Sequence, residues 1–154
     1  MEELIKNIEL LLQYSDSQLY VLIGMELSKN VPFDINQIMQ SQEMLDYEKR
    51  EKDNCRHTKN FLQIANEKNH RIDRWYHLGK SWLISNKNKF QISVCGNKVL
   101  KLMRKSSMVE TVIDVMNLIL PEEKIETLTP IATSILIIRQ GLNVFCKDYD
   151  NKHN

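Results

Sequence analysis

The scarcity of chain-breaking residues is the feature that most limits what this chain can fold into. Its 154 residues contain four glycines and three prolines. An all-β domain needs a turn about every ten residues, and glycine and proline are the main residues of such turns. Helices joined by short polar connections need far fewer of them. The sequence therefore predicts an all-α fold.

Apolar residues recur at the three- and four-residue spacing of amphipathic helices along most of the chain. We predict a single-domain helical bundle of about seven or eight helices over residues 1–146, with a long central helix within residues 41–86 and a polar tail over residues 147–154. Ser15 with Gln18 has the form of a capping box, and Thr129 with Pro130 is typical of a helix start. Residues 90–94 alternate between apolar and polar, so a short strand remains the alternative there.

Two further segments predict what is buried. Ile72, Trp75, Leu78 and Trp82 share one helical face, so both tryptophans are expected to be largely buried. Residues 131–145 are the most apolar part of the chain. They are too short and too often interrupted by polar residues to span a bilayer, and they predict a buried core helix and no membrane association.

Charge is strongly segregated in a chain whose formal net charge is only +1. Residues 1–48 hold nine acidic and two basic side chains, and residues 49–105 hold four acidic and fifteen basic ones. The last third, residues 106–154, is again mildly acidic. A basic middle predicts a surface for phosphate or for an acidic partner. Alternatively, the first two helices pair with the basic helix inside the molecule and neutralise it.

The residues expected to make these contacts are arginines and lysines of the basic middle. Arginine is preferred because its planar guanidinium binds carboxylate or phosphate through two parallel hydrogen bonds. The predicted partner- or phosphate-contacting residues are Arg50, Arg56, Arg71, Arg74, Lys80 and Lys87. Lysines and arginines also alternate here with Trp75, Tyr76 and Trp82, a combination that nucleic-acid surfaces use for phosphates and bases.

Catalytic and metal-binding patterns are weak. The cysteines and histidines lack the spacing of a zinc site, and no phosphate-binding loop is present, so the sequence predicts neither a metal nor a cofactor. Asp73 and His77 lie four residues apart and suit either a general base or an ordinary surface pair, and no nucleophile is placed beside them by sequence. An enzyme is therefore not expected.

Cysteine usage and the N-terminus point to a cytoplasmic protein. Cys55, Cys95 and Cys146 are odd in number and far apart, which predicts reduced thiols rather than a disulfide framework. The acidic, amphipathic N-terminus also lacks the pattern of a secretory signal.

Two stretches carry a resemblance to a known group of proteins. The first is Trp75-Tyr76-His77-Leu78-Gly79-Lys80-Ser81-Trp82, continuing to Val94-Cys95-Gly96-Asn97. The second runs from Ile131-Ala132-Thr133 to Gly141-Leu142-Asn143-Val144-Phe145-Cys146. Together they resemble small all-helical accessory proteins of bacterial conflict and anti-phage operons. The resemblance covers about a third of the chain and lies in packing motifs, so it assigns no functional residue. It implies a noncatalytic adaptor subunit that docks a separate effector or sensor protein.

Three functions therefore stand as hypotheses. The favoured one is a noncatalytic interaction module that docks a protein partner through the polar helix at residues 48–60 and the basic face beyond it; a homo-oligomer is also compatible. The alternative is nonspecific nucleic-acid binding through the basic segment, residues 49–105. The third is an enzyme that uses Asp73 and His77.

Overall fold

The computed structural model describes residues 2–29, 31–32, 34–54, 70–96, 107–119, 127–147 and 149. Over these residues the fold is all-α, as the sequence predicts, and no strand occurs among them. The helical segments are α1 (Glu2–Leu11), α2 (Asp16–Leu27), α3 (Ile35–Met39), α4 (Gln42–Asn54), α5 (His70–Ser85), α6 (Lys87–Cys95), α7 (Met108–Ile119), α8 (Thr129–Gln140) and α9 (Leu142–Phe145).

Contacts divide the chain into two compact units. Unit 1 comprises Met1–Gln13 and Ser81–Asn154, and unit 2 comprises Tyr14–Lys80. The prediction of one domain over residues 1–146 stays a prediction. Continuity of the long central helix depends on residues 55–69, which lie outside the described residues.

Helix α8 is the centre of unit 1. Its residues from Pro130 to Ile137 are buried without interruption, and it packs against α1, α7 and α9. A helix that is apolar all round must be surrounded by other elements. The prediction of a buried core helix is therefore confirmed. The predicted helix is, however, divided at Gly141, whose φ of 93° ends α8 because α-helical backbone requires a negative φ.

The alternative of a short strand at residues 90–94 is also decided in unit 1. Residues 90–94 lie within α6, where Phe90 and Val94 enter the core and Gln91 donates a buried hydrogen bond of 2.7 Å to the carbonyl of Phe145. The bond satisfies an amide that would otherwise be costly to bury. It also joins α6 to α9 within the unit.

Side-chain caps begin two helices of unit 2, and the first of them is predicted by the sequence. The Ser15 hydroxyl accepts from the Gln18 amide at 3.1 Å, and the Gln18 side chain accepts from the Ser15 amide at 2.7 Å. This is the predicted capping box at the start of α2. Asp34 caps α3 in a similar way by accepting from the Asn36 amide at 3.0 Å.

Helices α2 and α5 cross at backbone contact in unit 2. A Cβ atom placed on Gly24 would lie 1.9 Å from the Trp75 carbonyl oxygen, and one on Gly79 would lie 2.0 Å from that of Tyr20. Only glycine fits at such a separation. Because Gly24 faces Trp75 while the earlier Tyr20 faces the later Gly79, the two helices run antiparallel.

The buried face of α5 differs from the predicted one at one position. Ile72, Trp75 and Tyr76 are buried, but Leu78 is 43% exposed. The close approach of α2 at Gly79 sets which side of α5 is covered. The burial of Trp75 is confirmed, whereas Trp82 is only partly buried.

The prediction that the cysteines are reduced is wrong for two of them. Cys95 and Cys146 form a disulfide in unit 1, with their Cα atoms 5.5 Å apart. The 51 residues that separate them in sequence say nothing about their separation in space. Packing of the ends of α6 and α9 against one core brings the two thiols together. Cys55 lies outside the described residues.

Candidate functional site

Arg71, the predicted contact residue with the best-defined environment, is engaged inside unit 2. Its guanidinium donates to both carboxylate oxygens of Glu43, at 2.7 to 3.0 Å, and lies 5.7 Å from the centre of the Trp75 ring. The hydrogen bonds to Glu43 raise the pKa of Arg71 above its usual range. Internal pairing of the acidic and basic segments therefore occurs at this residue, with an acid from α4 rather than from the first two helices.

Two more predicted contact residues also have partners in unit 2. Arg50 donates from Nε to the carbonyl of Asp46 at 3.3 Å. The Lys80 ammonium lies 3.5 Å from the Tyr76 hydroxyl and 5.6 Å from the centre of its ring. These contacts fix where the charges lie but leave the side chains at the surface.

The remaining predicted contact residues are distributed along the chain. Arg74 is exposed on α5 in unit 2, and Lys87 begins α6 in unit 1. Arg56 lies outside the described residues, as does most of the polar segment 48–60 beyond the end of α4.

Asp73 and His77 form a pair, and a tyrosine joins it. The His77 ring lies 3.3 Å from the Asp73 carboxylate, which also accepts a hydrogen bond of 3.2 Å from the Tyr47 hydroxyl. The His77 side chain is 65% exposed. The Asp73 carboxylate thus links α4 to α5, and this contact is structural. A general base needs in addition a reacting group within hydrogen-bond reach.

The aromatic rings that alternate with the basic residues point inward. Trp75, Tyr76 and Phe90 are buried, and Trp82 packs on Phe90 with ring centres 5.7 Å apart, against the core of unit 1. Stacking on bases requires an exposed ring face. Within the described part of the basic segment, the rings are used for folding.

A surface that the sequence reasoning missed lies on unit 1, where α5 ends and α6 begins. Ile84 and Ile92 are each 65% exposed. Asn86 separates the two helices, with a φ of −98° and a ψ of 3° that are not helical. Its amide donates to the Trp82 carbonyl at the end of α5, and its carbonyl accepts from the Phe90 amide at the start of α6, both at 3.0 Å. Ile84, Asn88 and Ile92 lie four residues apart in sequence on either side of this turn, and all three are exposed.

We call this surface the isoleucine face and define it by Ile84, Asn88 and Ile92, with Lys87 and Lys89 beside them. All but the partly buried Lys87 are exposed. Phe90 and Val94, each two residues from Ile92, point into the core. Residues two apart on a helix point in nearly opposite directions. Because Phe90 and Val94 are anchored in the core, Ile92 must point outward. The two-residue spacing between Ile92 and each of these residues is visible in the sequence and could have predicted its exposure.

The electrostatic setting of the isoleucine face is uniformly basic in sequence. Between Asp73 and Glu110 the chain contains no acidic residue, while it contains eight lysines and arginines. Lys87 and Lys89 have no ion-pair partner within the described part of the chain. The isoleucine face thus combines aliphatic side chains with positive charge.

Comparison with known proteins found no matching family model, no matching curated protein and no matching solved structure. Within the residues that the structure describes, no helix has the length and apolar character needed to cross a membrane. Nor do the described cysteine, histidine and acidic side chains gather anywhere in a group of three that would hold a metal ion.

Proposed function

We propose that this protein is a noncatalytic helical interaction module that docks an acidic protein partner. The observation that carries the proposal is the isoleucine face, where two exposed aliphatic side chains lie within residues 74–109, a stretch that contains no acidic residue. The resemblance to accessory proteins of bacterial defence operons supports the same proposal. It implies that the partner is a separate effector or sensor protein.

Chemistry favours a protein over a nucleic acid at the isoleucine face. Aliphatic side chains gain free energy when a partner's apolar surface covers them. They offer no stacking platform for bases, and the described rings that would supply one are buried or packed against the core. The eight cations between Asp73 and Glu110 favour phosphate contact, so nonspecific nucleic-acid binding is the second candidate.

A cytoplasmic location stays a prediction. One of its arguments, the reduced state of the thiols, no longer applies to Cys95 and Cys146, because disulfides persist mainly in oxidising compartments.

The proposal is tested by crosslinking in the native host. A photoreactive amino acid replaces Asn88 on the isoleucine face, and a matched one replaces the exposed Asn117 on α7. We expect a discrete adduct with one protein from position 88 only, and its loss when Lys87→Glu and Lys89→Glu are added. Equal adducts from both positions, or no adduct, would contradict docking through this face.

A parallel measurement addresses the nucleic-acid alternative. Labelled single- and double-stranded DNA and RNA are titrated with the protein at low and moderate salt. Phosphate binding weakens steeply and log-linearly with salt. Salt-sensitive binding that Arg74→Glu with Lys89→Glu abolishes would favour the alternative. Arg71 is unsuitable as a probe because its replacement also breaks the ion pair with Glu43.

A further inference from the structure

We propose that the isoleucine face binds an amphipathic helix whose apolar stripe is bordered by acidic residues. This inference rests on the proposed docking function and names the chemistry of the partner. It follows from three properties of the face: its shape, the spacing of its apolar side chains and its charge.

The shape is that of an uncovered helix side. Ile84 and Ile92 are 65% exposed, whereas the opposite side of α6 is fully engaged in the core through Phe90 and Val94. Because both anchored residues are almost completely buried, α6 is held firmly and presents its outer side in a fixed orientation. A preorganised side loses little conformational entropy when a partner binds.

The spacing of the two isoleucines matches one side of a partner helix. Eight residues separate them in sequence, and eight residues of a helix rise about 12 Å. Asn88, whose short side chain lies between them, allows close approach. A partner helix with apolar residues at positions i, i+4 and i+7 or i+8 spans the same distance.

Charge selects the acidic partner over a second copy of this chain. Lys87 and Lys89 lie beside the isoleucines, and no acidic residue occurs from residue 74 to residue 109. In a symmetric dimer through this face the same lysines would meet one another, which is unfavourable. Aspartate or glutamate beside the partner's apolar stripe would instead pair with them.

The test uses the full chain and a fluorescent synthetic peptide. The peptide is about 18 residues long, enough for a helix to form on the surface, with leucines at positions i, i+4 and i+7 and glutamate bordering them. One control peptide has the same composition in scrambled order, and the other carries lysine in place of glutamate. Fluorescence anisotropy gives the dissociation constants.

We expect the acidic amphipathic peptide to bind more tightly than either control. Ile84→Ser and Ile92→Ser should each weaken binding about tenfold or more, since each removes an aliphatic anchor. Lys87→Glu with Lys89→Glu should weaken it at low salt and less at high salt. The matched control is Val144→Ser, which changes a 61% exposed aliphatic residue of the same unit and should leave binding unchanged. Circular dichroism checks that each variant remains folded.

Three results would overturn the inference: equal binding of the scrambled peptide, equal binding of the lysine peptide, or unchanged affinity in the Ile84→Ser and Ile92→Ser variants. The crosslinking experiment separates this failure from failure of the function. A protein adduct from position 88 without binding of the acidic peptide would leave docking intact and refute the partner chemistry. If neither the adduct nor binding of the acidic peptide is observed, both the docking function and the partner chemistry are refuted.

Discussion

Replacing either glycine of the α2–α5 crossing by alanine should destabilise the protein, although helix propensity alone predicts the opposite. Gly24 and Gly79 both lie inside helices. In an exposed helix interior, glycine to alanine stabilises by about 0.8–1 kcal/mol. At this crossing, however, the new methyl group would meet a backbone carbonyl oxygen of the other helix at 1.9 Å or 2.0 Å.

The size of the destabilisation depends on how far the two helices must move apart. Ordinary van der Waals contact begins at 3.4 Å, so the helices must separate by more than an ångström to admit the methyl group. The obstructing atoms are backbone oxygens of Trp75 and Tyr20, and they cannot rotate away as a flexible side chain would. Overpacking costs typically 1–3 kcal/mol and sometimes more. Because the clash is with backbone, the upper end of this range applies, about 3 kcal/mol. After the gain of about 1 kcal/mol in helix propensity, we expect a net loss of about 2 kcal/mol for Gly79→Ala.

The assay is urea denaturation followed by tryptophan fluorescence, because Trp75 lies at the crossing itself. Ser81→Ala is the matched control, since Ser81 is exposed on the same helix and gains helix propensity without a clash. A Gly79→Ala protein as stable as the unchanged protein, or more stable by about 1 kcal/mol as propensity predicts, would refute the close crossing.

Three further predictions concern the disulfide, a buried tyrosine and the ion pair. The Cys95–Cys146 disulfide joins residues separated by 51 positions, and its reduction should lower the free energy of unfolding by about 4 kcal/mol. Denaturation with and without dithiothreitol measures this loss. A Cys95→Ser variant whose stability still responded to dithiothreitol would contradict the prediction. Burial, and secondarily the Asp34 charge, raises the pKa of Tyr14 to about 12. Since the unfolded pKa is near 10, the stability that neutral Tyr14 contributes is complete below pH 10 and is lost as the pH rises towards 12. Tyr14→Phe should remove this alkaline loss and, by breaking the hydrogen bond to Asn36, cost about 1 kcal/mol at neutral pH; an unchanged profile of stability against pH would argue against the buried hydroxyl. Arg71→Ala should cost no more than about 1 kcal/mol, because the Arg71 side chain is 50% exposed and solvent screens its pair with Glu43; a larger loss in thermal denaturation would mean that the stacking on Trp75 matters more.

Much of the fold can be predicted from the sequence because its signals are local. The capping box at Ser15 and Gln18 depends on residues three apart, and the buried α8 depends on the most apolar stretch of the chain. Both were predicted and both occur. The end of α8 at Gly141 was harder to predict. A glycine is tolerated within a helix, and whether it adopts a positive φ depends on the surrounding structure.

The candidate site was less predictable because its residues act through partners distant in sequence. Arg71 was expected at a partner surface, and it faces Glu43, 28 positions away. Trp82 was expected in the core and is partly buried, whereas Ile92 was not singled out and proves to be exposed. Which side of a helix meets solvent depends on what covers the other side.

The sequence by itself determined the all-α character, the caps, the apolar core helix and the segregation of charge, since each is carried by composition or by residues within a few positions of one another. Tertiary structure alone decided the Cys95–Cys146 disulfide, the Gly24–Gly79 crossing and the isoleucine face. The physical reason is that disulfides, steric contact and solvent exposure depend on distances in space between helices, and helical periodicity fixes directions only around each helix's own axis.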